Sequence, residues 1–354
     1  KTLSALLSSH QTNHNDLTIL TSVIDDPRGY GRIVKENGRV KRIVEQKDCT
    51  PDEAAIHEGN AGVYVFDNAE LFRDLKRLTP NNAAGEYYLT DVIAMFVGDG
   101  KKVSTFSVAD VNETMGVNDR YQLSMAAKII QRRINKAWML SGVSIEDPDT
   151  TYISPDSTIG QDCVIRPNTY ILGGTSIGRD NVIGPSTYLE RVKANNGNVI
   201  EWSHLVDTVI GSNTTLGPYL RTRKNAVIAD KAHIGNFNEL KNVSFGEGSK
   251  CAHLSYLGDA SIGSDVNIGC GTIIANYDGV NKFSSNIGDG TFIGSGTTII
   301  SPVKIGEQAF TAAGSTINED VPAHAMAIAR ERQTNKEGYA DVLHEEAKRL
   351  KEAK

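Results

Sequence analysis

The sequence has few of the residues that stabilise small secreted proteins or span membranes. It contains four cysteines among 354 residues, and none of them forms a Cys-x-x-Cys pair. This usage excludes a disulfide framework and a zinc ribbon, and it is typical of a reducing compartment. No apolar run approaches the roughly 20 residues that a membrane-spanning helix requires. We therefore expect a cytoplasmic protein that has no membrane partner.

An excess of positive charge is also absent. Asp and Glu number 43 against 37 Lys and Arg, which gives a formal net charge of −6 and a pI near 5.8. A surface of this overall sign argues against nucleic acid or an anionic membrane as a partner. Any anionic substrate would have to be bound by a local cluster of Lys and Arg.

The second half of the chain instead carries an apolar or β-branched residue at every sixth position. The pattern runs in four stretches: Ile153, Ile159, Ile165, Ile171, Ile177, Ile183, Leu189; Ile210, Leu216, Thr222, Ile228, Ile234; Tyr256, Ile262, Ile268, Ile274; Ile287, Ile293, Ile299, Ile305, Thr311, Ile317. A period of six fits neither an α-helix nor a plain hairpin. It predicts three short strands per turn, wound as a triangular prism with one such side chain per face pointing at the axis. A β-sandwich with coincidental spacing is the alternative.

This spacing resembles the hexapeptide repeat, whose turns wind left-handed, against the usual crossover rule. We therefore expect a left-handed parallel β-helix over residues 144–330. The pattern breaks at residues 235–255 and 275–286, and we expect both segments to leave the prism as corner loops. Loops on a rigid scaffold commonly carry function.

Residues 1–117 have the pattern of a mixed α/β domain. Strands are predicted at 17–25, 39–46, 62–66 and 102–108, and helices at 68–78 and 87–97. The amphipathic segment 118–143 predicts a linker helix, for which a free-standing coiled-coil arm is the alternative. Residues 331–354 are a charged tail, either a helix or a frayed end. Because the chain starts at Lys1 without a methionine, we expect an N-terminal truncation.

Seven stretches together resemble the family of bacterial bifunctional N-acetylglucosamine-1-phosphate uridyltransferase/glucosamine-1-phosphate acetyltransferases. They are DPRGYGRI (26–33), VEQKD (44–48), GEYYLTD (85–91), GVND (116–119), GNFNELK (235–241), HLSYLGDASIG (253–263) and NYDGVNKF (276–283). The resemblance covers essentially the whole chain. It implies a partial Rossmann-like nucleotidyltransferase domain followed by a left-handed β-helix that trimerises. The implied pathway product, UDP-N-acetylglucosamine, is a precursor of peptidoglycan and lipopolysaccharide.

For the uridyltransferase, the resemblance implies a UDP-sugar site at Gly31, Glu45, Asn60 and Asn118, with Asn118 also a ligand of Mg²⁺. The family's glycine-rich LxAGxGTRM loop and its magnesium-binding aspartate are not in this sequence. The family's Glu-x-Asn-Thr-Gly run stands here as Glu-Gly-Asn-Ala-Gly at residues 58–62. We therefore expect the UTP-dependent activity to be lost in this chain.

For the acetyltransferase, the resemblance implies His253 as the catalytic base. It implies a sugar-phosphate site at Arg223, Lys241, Tyr256, Asn267 and Lys282. It implies an acetyl-CoA site at Cys270, Asn276, Tyr277, Ser295, Ala313 and Arg330. Histidine suits a base because imidazole titrates near neutral pH, and Arg and Lys suit a phosphate because their hydrogen bonds to it are charge-assisted. The family commonly has alanine at position 270, so a merely small residue at a turn is the alternative for Cys270.

We expect direct transfer in a ternary complex, in which His253 takes a proton as the amine of glucosamine 1-phosphate attacks acetyl-CoA. A ping-pong route through Cys251, two residues before His253, is an alternative, because residues two apart on a strand point the same way.

A smooth prism face has no closed pocket, so we expect a homotrimer in which the 275–286 loop completes a neighbour's site. Two rival functions share the fold: a zinc carbonic anhydrase, and a non-catalytic scaffold with a defunct nucleotidyltransferase domain.

Overall fold

The computed structural model describes residues 1–353, and the chain divides into two compact units between Ile129 and Ile130. The helices are α1 Thr2–Thr12, α2 Pro51–Ala54, α3 Asn68–Leu75, α4 Asp91–Gly98, α5 Arg120–Leu140 and α6 Tyr339–Glu352, with 3₁₀ turns at Gln46–Asp48 and Val111–Thr114. The strands of the first unit are β1 Leu17–Val23, β2 Arg32–Glu36, β3 Arg39–Val44, β4 Glu58–Phe66 and β5 Val103–Ser107.

The strands of the second unit are mostly two or three residues long. They are β6 Ser144–Ile145, β7 Tyr152–Ile153, β8 Thr158–Ile159, β9 Val164–Ile165, β10 Tyr170–Leu172, β11 Ser176–Ile177, β12 Val182–Ile183, β13 Tyr188–Ala194, β14 Val199–Ile200, β15 His204–Ile210, β16 Thr215–Leu216, β17 Arg221–Arg223, β18 Ala226–Ile228, β19 His233–Phe245, β20 Lys250–Ile262, β21 Asn267–Ile268, β22 Ile273–Ala275, β23 Ser285–Ile287, β24 Phe292–Ile293, β25 Thr298–Ile300, β26 Lys304–Ile305, β27 Phe310–Thr311, β28 Thr316–Ile317 and β29 Met326–Ala327.

The first unit is built on a mixed five-stranded sheet in the order β3-β2-β4-β1-β5. β5 runs parallel to β1, and the other neighbours are antiparallel. Helix α4 buries Val92, Ile93 and Phe96 in the same cluster as Leu17 and Ile19 of β1. Each of the four predicted strands overlaps an observed strand, whereas α1, α2 and β2 are absent from the prediction. Burial of one apolar face against the sheet therefore organises this small α/β domain.

The second unit is a left-handed parallel β-helix, as predicted. Its 24 strands form one sheet in which every pairing is parallel. Three columns of buried side chains fill the axis, one column from each face. Successive members of each column pair in register, as in these three runs: Ile165, Ile183, Ile200; Ile171, Leu189, Leu205; Ile177, Ala194, Ile210. Branched apolar side chains suit this position because they pack well on a pleated surface.

The turns differ in length, and this corrects the loop expected at residues 235–255. Strands β19 and β20 run through that segment and pair from His233 to Phe245. Leu240 pairs with Leu257, seventeen residues later, whereas turns near the C-terminal end repeat after eighteen. The six-residue pattern therefore shifts by one position, so that Leu257 is buried and Tyr256 lies on the outer surface.

The second predicted loop is confirmed. β22 ends at Ala275 and β23 begins at Ser285, and residues 277–282 between them are exposed. Ile268 pairs with Ile293, twenty-five residues later, so this turn carries the extra residues of the insertion. The segment leaves the prism at the corner that follows β22.

Helix α5 matches the predicted linker helix, and its second half is docked on the β-helix. Ile134 and Trp138 pack against the core of the prism. The buried amide of Asn135 donates hydrogen bonds of 2.9 Å to the carbonyls of Pro148 and Thr151. These contacts exclude a free-standing arm. The tail beyond the β-helix contains α6. Among all the helices within residues 1–353, none is long and apolar enough to cross a bilayer.

Candidate active site

His253 lies at a corner of the prism, within β20, where its ring is exposed. Its Nδ1 lies 2.9 Å from Oδ1 of Asn236, which is the residue paired with it on the preceding turn. The corner also contains Leu254, whose φ is +33°. A residue at such a corner is directed away from the axis, so an imidazole here faces solvent and any molecule bound along this edge.

Cys251 does not accompany His253 on the surface, and this argues against the ping-pong alternative. Its side chain is buried, and its Sγ donates a hydrogen bond of 3.2 Å to Oδ1 of Asn238. Burial raises the pKa of the Cys251 thiol to about 12, so the thiolate needed for nucleophilic attack is scarce at neutral pH. On a straight strand, Cys251 and His253 would point the same way. They do not do so here, because the chain turns a corner after Cys251.

Lys241 and Asp259 form a pair that is almost completely shielded from solvent. The Nζ of Lys241 lies 3.2 Å from Oδ2 of Asp259, and the side chains are 11% and 12% exposed. The side-chain amides of Asn242 and Asn276 also donate hydrogen bonds to this carboxylate. Burial by itself raises the pKa of Asp259, but these three donors outweigh burial and hold the pKa below its ordinary value. Asp259 is therefore a fixed anion that orients Lys241.

Lys282, in the exposed loop, brings a second ammonium group to the same place. Direct contact with Lys241 and repulsion from its charge lower the pKa of Lys282. Two cations this close are unfavourable unless an anion lies between them. The nearby carboxylate of Asp259 is bound by Lys241. The arrangement therefore favours an anionic ligand.

Tyr256 and Arg223 lie on the same face as Lys241. Arg223 pairs in register with Lys241, and Lys241 with Gly258. A Cβ atom placed on Gly258 would lie 2.5 Å from Oη of Tyr256, so the tyrosine ring leans over this glycine toward the lysine. The guanidinium of Arg223 is held by Glu239, with Nη2 2.6 Å from Oε1.

The predicted acetyl-CoA residues separate into two groups. Strand register places Cys270, Ser295 and Ala313 at equivalent corner positions on the three turns that follow His253. All three are exposed, and Cδ of Arg330 lies 3.8 Å from a Cβ placed on Gly314, next to Ala313. These residues form one rail along the prism edge.

Asn276 and Tyr277 lie at a different corner, with the 275–286 loop. Asn276 is buried against Asp259, and Tyr277 is exposed. Asn267 is also separate from the other sugar-phosphate residues. It lies on β21, and the corner that carries His253 divides the face of β21 from the face that carries Tyr256. Within one chain, the structure therefore brings together Arg223, Lys241, Tyr256 and Lys282, but not Asn267.

In the first unit, three of the four predicted UDP-sugar residues lie together. The backbone N–H of Asn60 donates to the carbonyl of Gly31 at 2.8 Å, and a Cβ on Gly31 would lie 3.3 Å from Oε2 of Glu45. Thr90 orients Glu45 with a hydrogen bond of 2.9 Å to Oε1. Asn118 is exposed, and its backbone N–H donates to Gln122.

No group of three or more His, Cys, Asp or Glu side chains within residues 1–353 is placed to hold a metal. Asn118 has an amide side chain and lies on the surface.

Sequence reasoning missed Asn236, Gly258 and Asp259. All three lie within the motifs GNFNELK and HLSYLGDASIG. A carboxylate next to a glycine in a hexapeptide turn is a signal that could have pointed to Asp259. The partner of Asn236 lies seventeen residues away, and only the strand register reveals it.

Comparisons with solved structures give weak similarities. A UDP-N-acetylglucosamine acyltransferase is 21% identical, with a TM-score of 0.34 over 53% of this chain and 71% of that one. The UDP-N-acetylglucosamine acyltransferase of Bacteroides fragilis is 18% identical, with a TM-score of 0.33 over 50% and 69%. Likenesses at this level support no inference about function.

Sequence comparisons are far stronger. Two family models match: the GMPPB C-terminal domain over residues 147–245 and the bacterial transferase hexapeptide (six repeats) over residues 284–319. The bifunctional protein GlmU of Shouchella clausii is 47% identical over 339 residues, covering 96% of this chain and 75% of the relative. That of Halalkalibacterium halodurans is 49% identical over 340 residues, with the same coverage. Because identity of nearly one half extends over almost the whole chain, this chain belongs to the bifunctional GlmU family.

Proposed function

We propose that this chain transfers the acetyl group of acetyl-CoA to the amine of glucosamine 1-phosphate, giving N-acetylglucosamine 1-phosphate. Family membership supports acetyl transfer. The sugar-phosphate substrate is supported by the proximity of the Lys241 and Lys282 ammonium groups beside Tyr256, where their mutual repulsion lowers the pKa of Lys282. A phosphate between the two ammonium groups would remove their repulsion and form charge-assisted hydrogen bonds with both. Tyr256 would contact the sugar ring next to it.

We propose His253 as the base that takes the proton from the attacking amine. Its ring is exposed at the corner, and its Nδ1 is occupied by Asn236. The rail of Cys270, Ser295 and Ala313 begins one turn from His253, and its far end at Ala313 lies roughly 15 Å from His253 at the spacing of stacked strands. We propose that acetyl-CoA lies along this rail, with its thioester near His253 and its anionic nucleotide toward Arg330. Asn276 and Tyr277 would contact the cofactor from a neighbouring copy.

We propose a homotrimer in which the site is shared between copies, and the dimensions of one chain support this proposal. His253 and Asp259 lie at the two corners that bound one face, six residues apart along β20, or roughly 20 Å of strand. The amine and the phosphate of glucosamine 1-phosphate are on neighbouring ring carbons, only a few ångströms apart. The base and the phosphate site of one chain are too far apart for so small a substrate. A second copy that supplies one of them, together with Asn267 or the 275–286 loop, resolves this mismatch.

The segments of the chain have separate proposed roles. We assign the acetyltransferase to residues 144–330, the linker to 118–143, the tail to 331–354 and a uridyltransferase remnant to 1–117. Gly31, Glu45 and Asn60 would contact a UDP-sugar.

The test is acetyl transfer from acetyl-CoA to glucosamine 1-phosphate, followed by thiol release. We expect His253→Ala to lower turnover by ~10²–10⁴. Lys282→Met should raise KM for the sugar phosphate about tenfold with little change in kcat, because it removes a binding contact. Lys193→Met, an exposed lysine near the other end of the prism, is the matched control and should behave like the wild type. A folded protein that binds no acetyl-CoA would instead indicate a non-catalytic scaffold.

A further inference from the structure

We infer that Asn236 is the positioning residue of His253, and that its side-chain carbonyl selects the imidazole tautomer that can act as the base. The inference rests on the proposed acetyl transfer and adds to it a residue that does not touch the substrate. Asn236 lies on the turn preceding His253 and pairs with it in the register of β19 and β20. Its Oδ1 lies 2.9 Å from Nδ1 of His253.

The chemistry of the contact determines which ring nitrogen carries the proton. A carbonyl oxygen can only accept a hydrogen bond, so Nδ1 of His253 must be the donor. In a neutral imidazole the other nitrogen, Nε2, then has the free lone pair. Nε2 is therefore the atom that takes a proton from the amine. Without Asn236 the ring can rotate, and the other tautomer, in which Nε2 is protonated and cannot accept, becomes populated.

The buried side chain of Asn238 fixes the position of Asn236 relative to His253. Asn238 is 2% exposed, and its Nδ2 donates hydrogen bonds of 2.9 Å to the carbonyls of Gly235 and Cys251. These two carbonyls flank the corner on the two turns that carry Asn236 and His253. Gly235 permits the close approach, since a Cβ there would lie 2.1 Å from the carbonyl oxygen of Ala252. The two functional side chains are thus aligned by backbone contacts.

Within residues 1–353, no carboxylate forms a hydrogen bond or an ion pair with the His253 ring. Several titratable residues lie on the adjoining strands and turns: His233, Glu239 and Lys241 of β19, Lys250, Cys251, Tyr256 and Asp259 of β20, and Cys270 of the next turn. Asp259 is bound to Lys241. Glu239 is bound to Arg223, and Cys251 is bound to Asn238. The contact with Asn236 is neutral, so it orients the ring without adding a charge that favours the imidazolium.

The test compares Asn236→Ala, Asn236→Asp and a control, Glu247→Gln. Glu247 forms a 2.7 Å contact with Lys231 between neighbouring turns at a different corner, so its substitution disturbs an equivalent cross-turn contact away from His253. For each folded protein, kcat and KM are measured from pH 5 to pH 9. The NMR titration of the His253 ring is recorded without substrate.

We expect Asn236→Ala to lower kcat about tenfold at every pH, with KM for both substrates unchanged, because only the orientation of the base is lost. Asn236→Asp keeps the acceptor but adds a negative charge that favours the imidazolium. It should therefore shift the acidic limb of the activity profile, and the midpoint of the ring titration, upward by about one pH unit. Glu247→Gln should reproduce the wild type in both readouts.

The outcomes separate this inference from the proposed function. Wild-type kcat in Asn236→Ala, or an unshifted limb and ring titration in Asn236→Asp, overturns the role of Asn236 even when His253→Ala is inactive. A wild-type protein without acetyl transfer overturns the proposed function. In that case the ring titration still decides whether Asn236 contacts His253. If Asn236→Ala does not fold, Asn236→Asp decides the inference by itself.

Discussion

The carboxylate of Asp259 lies 3.2 Å from the ammonium of Lys241, and neither side chain is more than 12% exposed. Asp259 therefore balances the charge of Lys241 before any ligand arrives. The positive charge left for an anion comes from Lys282, which the exposed loop carries to the same place. One fixed cation and one cation on a loop suit a site that must hold a phosphate and then release the product.

Replacing Asp259 should destabilise the protein. In Asp259→Asn the charge of Lys241 loses its partner at a site with little access to water, so we expect the free energy of unfolding to fall by about 2 kcal/mol. Urea denaturation measures this change. Asp207→Asn is the control, because Asp207 and Arg191 form an exposed ion pair. Exposed pairs contribute little, so the control should lose clearly less. Equal losses would contradict a special role for the buried pair.

The effect of Asp259 should disappear in acid. Burial alone would raise the pKa of Asp259. Hydrogen bonds from Asn242, Lys241 and Asn276 have the larger, opposite effect, so the pKa of Asp259 lies below the ordinary 3.8. A carboxyl whose pKa is lowered by folding contributes stability that is present above 3.8 and is lost as the pH falls through the folded value. The difference in unfolding free energy between the wild type and Asp259→Asn should persist at pH 5–7 and shrink below about pH 3. A difference that grows in acid would exclude this explanation.

Gly258→Ala should impair sugar-phosphate binding without unfolding the chain. The new Cβ would lie 2.5 Å from Oη of Tyr256 and would displace this ring from its place beside Lys241. We expect KM for glucosamine 1-phosphate to rise several-fold, with a small change in Tm. Gly98→Ala is the control, since nothing lies within 4 Å of the added atom and the backbone is helical. An unchanged KM would mean that Tyr256 does not contact the sugar.

The cysteines should differ sharply toward an alkylating reagent. Cys270 is exposed on the proposed acetyl-CoA rail, whereas Cys163 and Cys251 are buried. Burial raises the pKa of both buried thiols, and thiolates are the reactive species. Brief treatment with iodoacetamide at pH 7 should therefore label Cys270 before Cys251 or Cys163, as read by mass spectrometry. Acetyl-CoA should slow this labelling and glucosamine 1-phosphate alone should not. Labelling of Cys270 that is indifferent to acetyl-CoA would remove it from the cofactor site.

Much of the fold could be predicted because its signal is local. The spacing of Ile153, Ile159 and Ile165 alone predicts three strands per turn, since each face needs one inward side chain. The exposed loop at 275–286 could also be predicted from the sequence, because a polar insertion that contains glycine cannot be buried in the packed axis of the prism. The same rule failed at Tyr256, where a turn of seventeen residues shifts the pattern by one position and buries Leu257 instead.

The sequence by itself determined the β-helix, the docked linker helix and the family motifs that point to His253 and Lys241. Only the tertiary structure decided which residues meet. It paired Asn236 with His253 and Lys241 with Asp259, and it separated Asn267 from Tyr256 by a corner. The physical reason is that contacts on a β-helix run between stacked turns. The register of backbone hydrogen bonds sets each partner, and turn lengths of sixteen, seventeen or eighteen residues change that register without leaving a simple mark in the sequence.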